Sequence, residues 1–479
     1  MQHPSRPSPP VESATLRPAL GNRQMSMIAI GGVIGAGLFV GSGSAIKQAG
    51  PAVLVAYTAI GVLVILVMRM LAELAVAQPD SGSFSSYASR DLGPWAGLSV
   101  GWLYAYQWCV TVGFEAVVGA AITHQLLPSI PTWLAALVLM VALISVNFAR
   151  VEFFGTFEFW FAMIKVAAIV AFLLLGLAAI LGAVPGTPAP GASNLTGQGG
   201  FAPEGWLTVL QASLIVFFSF FGTEVVTIAA GEAKDPARAV RRGINSVVWR
   251  ILLFYIGSIA LVVVLLPWNS TAVTESPYSA VLDHLGIPYA GTVMNFIVLT
   301  AVLSCLNSGI YASSRMLHSL AKRGEAPRLL TRTMRSGVPA PAIIAASSVG
   351  LVTVVANYFL PTAAVYQFLL DSSGSVAVIV YLAIVVTHLR GRARLDRGGF
   401  ENRRVKMWAY PYLDILALVG LLAVIGGMAV SGGSRRSLML TLLVTAITVV
   451  AGFIHQRVRP RGDSSGSRPA PEDAAVPAP

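Results

Sequence analysis

Charge is what this chain lacks. Only 11% of its 479 residues are Asp, Glu, Lys or Arg, against about 25% in soluble domains. With 55% hydrophobic residues and a mean hydropathy of +0.73, a water-soluble globule is excluded. Cysteine is nearly missing as well. Cys109 and Cys305 both fall inside apolar runs, so a disulfide-stapled extracellular domain is excluded and buried free thiols are expected. No Walker loop and no HExxH occurs, and the Gly/Ser fragments GSGS and DSSGS lack the strand-to-helix setting of a nucleophile elbow. An ATP-driven pump and these enzyme chemistries are set aside, no cofactor or metal is implied, and the chain does not read as an enzyme.

Long hydrophobic runs take the place of charge. A membrane-spanning helix needs about 20 apolar residues. Such segments begin near Met25, Pro51, Trp95, Pro131, Phe153, Gly205, Ile244, Tyr289, Pro341, Ala363, Tyr410 and Ser437. No segment alternates as the strands of a membrane barrel do. The expected fold class is an all-α integral membrane protein with about twelve transmembrane helices.

The net charge of +11 is explained by topology rather than by nucleic acid. Lys234, Arg238, Arg241 and Arg242 follow the sixth segment; Lys322, Arg323, Arg328, Arg332 and Arg335 follow the eighth; Arg390 through Lys406 follow the tenth. The loops from Leu181 to Pro203 and from Trp268 to Pro288 hold no Lys or Arg. The positive-inside rule then puts both termini in the cytoplasm, with Lys47, Arg435 and Arg436 as exceptions. Met1 to Arg23 is Pro-rich and has no apolar signal core, so the first span is expected to act as the insertion signal. Arg457 to Pro479, rich in Pro, Ala, Ser and charge, is expected to be disordered.

Two of the spans are interrupted. The first reads IAIGGVIGAGLFVGSG, with Gly31, Gly32, Gly35 and Gly37 crowded into its middle; the sixth reads VFFSFFGTEVVT around Gly222. In lipid every backbone polar group must be paired, so a helix breaks only where the freed groups face protein, water or a ligand. Close helix packing through small residues is the alternative, and Gly31 with Gly35 has that spacing. Corresponding breaks, first in each of two successive groups of five spans, point to a transporter site at an inverted-repeat interface. Half-helix N-termini attract a carboxylate and unwound carbonyls attract an ammonium, a pairing that suits a zwitterionic amino acid.

Ionisable residues within spans are functional candidates by default. Lys165 lies midway along the fifth span in FAMIKVAAIV: either a proton-coupling group or a permanent cation bridging helices. Glu224 directly follows the sixth-span break, as a proton-linked gate or as an acceptor tying the broken helix to its neighbours. Glu115 lies in the third span in WCVTVGFEAVVGAA. Arg69 and Glu73, one turn apart, read as a structural ion pair. Asp371 reads as a cavity wall or a helix cap. His124 and His284 show no metal-ligand spacing.

The segments GGVIGAGLFVGSG, AGPAVLVAY, PDSGSFSSYA, EFWFAMIKV, SFFGTEVVTIAAGEAKDP and SCLNSGIYASSRML together resemble the amino acid transporter family of the amino acid, polyamine and organocation superfamily. The resemblance runs from about Leu20 to Pro411. MRMLAELAVAQPDSGSFSSYA, NSVVWRILLFYIGS, FLLDSSGSVA and MWAYP are most similar to the 4-aminobutyrate (GABA) permeases. It implies a LeuT-type five-plus-five inverted repeat with discontinuous helices 1 and 6. The divisions are a cytoplasmic tail (1–24), first repeat (25–183), outer loop (184–204), second repeat (205–389), basic loop (390–408), two peripheral spans (409–456) and a tail (457–479). By position the substrate carboxylate meets backbone N–H groups at Gly35, Ala36 and Gly37. Val33, Phe218 and Phe221 offer carbonyls to the amine, and Ile34 and Gly222 belong to the same two breaks. Relatives sometimes carry Ser at Ala36, so here the carboxylate relies on backbone. Phe218 is a candidate lid or a packing residue. Lys165 stands where sodium binds in sodium-coupled relatives. Glu115 is a candidate contact for the distal ammonium of an omega-amino acid, a participant in proton movement, or a hydrogen-bonded strut.

The reading is a secondary permease that imports an amino acid, first of all GABA, on the proton gradient. Its partners are the substrate, protons and the lipid bilayer, with no nucleic acid. Exchange, or a neutral, aromatic or proline substrate, is the alternative within the class. A sensor keeping the same site is another class, and so is a channel, which would need a continuous pore. Excess Arg over Lys and abundant Ala suggest a bacterial cytoplasmic membrane.

Overall fold

The computed structural model describes residues 20–458 apart from 150, 187, 362–368, 370–374, 398–404 and 431. Asp371 and most of both tails lie outside the described residues. Among the described residues the chain is helical, and the strand-like pairing is a single bridge, Leu20 with Ala233.

The first span is cut into α1 (Asn22–Gly31), α2 (Ala36–Phe39) and α3 (Gly41–Ala49). Gly50, at φ +61°, and Pro51 then turn the chain into α4 (Val53–Ala77), a backbone that suits glycine. A short α5 (Ser83–Asp91) leads to α6 (Pro94–Leu126), α7 (Thr132–Phe148) and α8 (Val151–Ile180). After α9 (Ser193–Thr196) the sixth span is again divided, into α10 (Trp206–Phe220) and α11 (Val225–Ala229). The seventh is α12 (Pro236–Arg250), capped by the Asp235 carboxylate accepting from the Arg238 N–H at 3.1 Å, then a π-helical stretch, Ile251–Gly257, and α13 (Ser258–Leu265). The remainder is α14 (Thr271–Glu275), α15 (Pro277–His284), α16 (Ala290–Lys322), α17 (Ala340–Phe359), α18 (Val376–Arg397), α19 (Tyr412–Val430) and α20 (Gly432–Val458).

Ten helical stretches among the described residues are long and apolar enough to cross a membrane. The difference from twelve has two local causes. The stretch Ala36–Ala77 counts once although it holds part of the first span and all of the second, and α7, at 17 residues, is short. Each expected span start lies close to a helix, except that the stretch after Ala363 lies largely outside the described residues.

The two 33-residue helices α6 and α16 pack along each other at the centre. Broken α1–α3 and α10–α11 lie against them and against α4, α8 and α12. Burial separates core from periphery: 78% of the apolar window in Trp206–Glu232 is inside the protein, against 33% for α19 and 22% for α20. The periphery is tied on through His388, whose two ring nitrogens contact Asp414 of α19 and Glu73 of α4. Arg392 adds a 2.8 Å ion pair to Glu73. Arg69, expected to pair with Glu73, also reaches out of its helix, donating to the Lys406 carbonyl at 2.9 Å and lying over the Trp408 ring.

Candidate functional site

The first helix opens between Gly32 and Gly35. Gly32 caps α1, and Gly35 takes an extended backbone (φ −124°, ψ −154°) before α2 begins at Ala36. The second opening is at Phe221 (ψ 142°) and Gly222, and Gly222 sits at φ +103°, a conformation that side chains resist. The two openings meet. A Cβ on Gly222 would lie 3.0 Å from the Gly32 carbonyl oxygen and 3.5 Å from the Trp108 ring. Small residues are needed for packing here as well: a Cβ on Gly35 would lie 2.8 Å from Glu115 Oε1, and one on Gly37 would lie 2.9 Å from Ser219 Cα. The glycines thus serve both the break and the close approach.

Between the openings is a narrow cavity lined by Val33, Gly35, Gly37, Phe218, Phe221 and Glu115, together with Trp108, Thr111, Ser219 and Cys305. The gaps between its atoms sum to about 280 Å³, part of it open to solvent, and the room for water-sized bodies is only about 10 Å³. Ile34, Ala36 and Gly222 border the same openings without lining the cavity. The Ile34 carbonyl accepts from Lys165 Nζ at 3.0 Å. The Ala36 N–H and the Cys305 thiol face the Glu115 carboxylate, whose Oε2 is buried without a hydrogen bond among the described residues. Glu115 is therefore placed at the start of α2, where the resemblance puts the substrate carboxylate. The Val33 carbonyl accepts from the Tyr255 hydroxyl at 3.4 Å, and that hydroxyl also donates to the Ser219 carbonyl at 3.0 Å. Phe218 stands edge-on to Phe114, and Phe221 packs on Trp108 and Tyr104.

Lys165 is wholly buried and has a second contact, to Ser304 Oγ at 2.9 Å. Ser304 Oγ also donates to Glu158 Oε1, and Asn307 Nδ2 donates to Glu158 Oε2 at 3.3 Å. Glu158 precedes Lys165 by two helical turns, which puts both on one face of α8. This buried carboxylate was not singled out from the sequence, although the EFWFAMIKV motif contains it and the seven-residue spacing was visible.

Glu224, fully buried, accepts from Tyr104 OH at 3.0 Å, Tyr381 OH at 2.8 Å and the Gly222 N–H at 3.0 Å. It thereby ties the second opening to α6 and α18, with α18 supplying Tyr381. Trp108, Thr111 and Glu115 follow at helical spacing on α6, a face that could have been read from the sequence once Glu115 was chosen. Tyr104, Tyr255 and Tyr381 gave no comparable signal. His124 contacts the Ile130 carbonyl in a loop, away from these groups in sequence and contacts.

A family model described as "Amino acid permease" matches residues 24–461. A gamma-aminobutyric acid permease of Bacillus subtilis is 48% identical over 92% of this chain and 94% of its own length. One from Escherichia coli K12 is 48% identical over 83% of this chain and 85% of its own. An aromatic amino acid transport protein of Corynebacterium glutamicum is 39% identical over 91% and 94%. Among solved structures, a mutant manganese transporter of Eremococcus coleocola superposes with a TM-score of 0.56 at 14% identity, covering 90% of this chain and 92% of that one; this likeness concerns the fold alone. The helical multi-pass architecture, the two facing helix openings and a family match along nearly the entire membrane region lead to one assignment: the chain belongs to the amino acid permease family.

Proposed function

We propose that the chain is a proton-coupled symporter that carries GABA into the cell by alternating access. The observation behind the substrate is the 48% identity to three proteins named GABA permeases or probable GABA permeases, against 39% to the aromatic transport protein. The repeats are taken as 25–183 and 205–389 from the corresponding helix breaks and the family resemblance, and both termini as cytoplasmic on the strength of the loop charges.

In this reading the substrate carboxylate docks on the N–H groups of Gly35, Ala36 and Gly37, where the start of a half-helix favours an anion. Glu115, now beside Ala36, gives up that position and turns to the distal ammonium, which lies further from the carboxylate in an omega-amino acid than in an alpha-amino acid. The Val33, Phe218 and Phe221 carbonyls complete the ammonium end, with Phe218 as a lid. The Lys165–Ser304–Glu158 chain supplies titratable groups joined to the first opening through Ile34, and Glu224 holds the second opening against Tyr104 and Tyr381. Movement of a proton among these groups is what couples the gradient to the openings.

The experiment is radiolabelled uptake by purified protein in proteoliposomes with an imposed inward proton gradient. Concentrative GABA accumulation abolished by a protonophore is expected. Uptake of phenylalanine or proline without competition from GABA would refute the substrate, and obligatory one-for-one exchange indifferent to the gradient would refute the coupling.

A further inference from the structure

Arg250 is 2% exposed, and none of its Nε, Nη1 and Nη2 atoms has a hydrogen-bond partner among the described residues. The fold treats another buried arginine quite differently: Arg315 donates to Glu232 at 2.8 Å and lies over the Tyr311 ring at 4.0 Å. A buried guanidinium brings five N–H donors, and leaving them without acceptors away from water is strongly destabilising. Inside a membrane protein that expense marks a working residue.

Its position indicates the work. Arg250 ends α12 where the helix passes into the π-helical stretch Ile251–Gly257, a local widening common at functional sites. Five residues further on, Tyr255 touches the Val33 and Ser219 carbonyls of the two openings. Among the described residues, the groups in electrostatic range of the guanidinium include Tyr255, Tyr381, Glu224 and, as a like charge, Lys165. Glu224, the carboxylate among them, is already engaged by Tyr104, Tyr381 and the Gly222 N–H. Running back from Tyr255 to Arg250, α12 heads toward the basic connection of Lys234, Arg238, Arg241 and Arg242. Arg250 thus lies about one and a half turns from the openings, on the side assigned above to the cytoplasm.

We infer that Arg250 forms a second carboxylate site, inward of the helix openings, that receives the substrate's carboxylate as it leaves the central cavity for the cytoplasm. The donors at Gly35, Ala36 and Gly37 belong to a half-helix on the outer side of the opening, so a carboxylate moving inward loses them. A guanidinium offers two parallel N–H donors that match a carboxylate and restores the lost contacts before water does. This site rests on the permease reading and adds a step to it.

The test uses the full chain in intact cells and in inside-out membrane vesicles, from a host without GABA uptake of its own, with GABA as the probe. Wild type is measured first. If GABA is not moved but another amino acid is, the substrate reading fails alone, and the Arg250 measurements continue with that amino acid. For Arg250→Gln, half-saturation at the cytoplasmic face is expected to rise about tenfold or more, with the external value within about twofold of wild type. Arg250→Lys should recover part of the loss. An equal rise at both faces overturns the inference, as does no rise at normal membrane abundance. The same cytoplasmic defect in Glu224→Gln, with no further loss in the double variant, also overturns it, because Glu224 is then the partner that Arg250 meets. Should Arg250→Gln fail to reach the membrane, Arg250→Lys decides: its single-point charge is expected to weaken the cytoplasmic face alone, and an unchanged value there refutes the site.

Discussion

Lys165 Nζ donates to the Ile34 carbonyl at 3.0 Å, so the cation of the fifth span holds an unpaired backbone group of the first-span opening. One contact joins a titratable side chain to the element expected to move. Lys165→Met should remove pH-gradient-driven accumulation, as it leaves both the Ile34 carbonyl and Glu158 without that cation. Uptake with an imposed gradient checks this, and a variant that still concentrates substrate rules Lys165 out of coupling. Retained exchange with lost accumulation favours a proton carrier over a structural cation.

Ser304 links Lys165 to Glu158. Ser304→Ala leaves the Lys165–Ile34 contact in place and removes only the bridge. Gradient-driven accumulation should fall while exchange survives, with a stability loss of about 1–3 kcal/mol for the unsatisfied buried acceptor. Flux in proteoliposomes and thermal unfolding in detergent read the two effects separately; unimpaired accumulation would exclude the bridge from coupling.

Gly35→Leu and Gly222→Leu should abolish uptake with expression and membrane insertion largely intact. At Gly35 the added carbon meets Glu115 and Cys305 within 3.0 Å; at Gly222 it meets the Gly32 carbonyl and also the φ of +103°. Normal uptake by both variants would defeat a site between the openings.

Glu115→Gln should weaken GABA uptake about tenfold and a neutral alpha-amino acid less, because only the omega-amino acid extends its ammonium toward the carboxylate. Competition assays with GABA, arginine and glutamate give the companion result: unlabelled GABA should inhibit most strongly, as glutamate's second carboxylate would meet Glu115 and arginine's long side chain exceeds the narrow cavity. Equal weakening of GABA and the alpha-amino acid would assign Glu115 to the start of α2 alone.

Class, span positions and both helix breaks were legible in the chain because they are local: scarce charge and long apolar runs leave few alternatives to spanning helices, and a glycine cluster interrupts a helix wherever it folds. The flat hydrophobicity of those helices hid the rest. In α6 and α8 apolar residues surround the whole circumference, so periodicity identifies no inner face, and partners far apart in sequence could not be matched. Ser304 meets Glu158 across 146 residues, and Tyr381 meets Glu224 across 157. The chain by itself determined a membrane transporter interrupted within the cluster Gly31, Gly32, Gly35 and Gly37 and around Gly222; the structure narrowed the first break to Gly32–Gly35. Only tertiary packing decided that Glu115 faces Ala36, that Lys165 holds Ile34 and that Arg250 is buried with no hydrogen-bond partner among the described residues, because a side chain's neighbours across helices follow from how the helices rotate against one another.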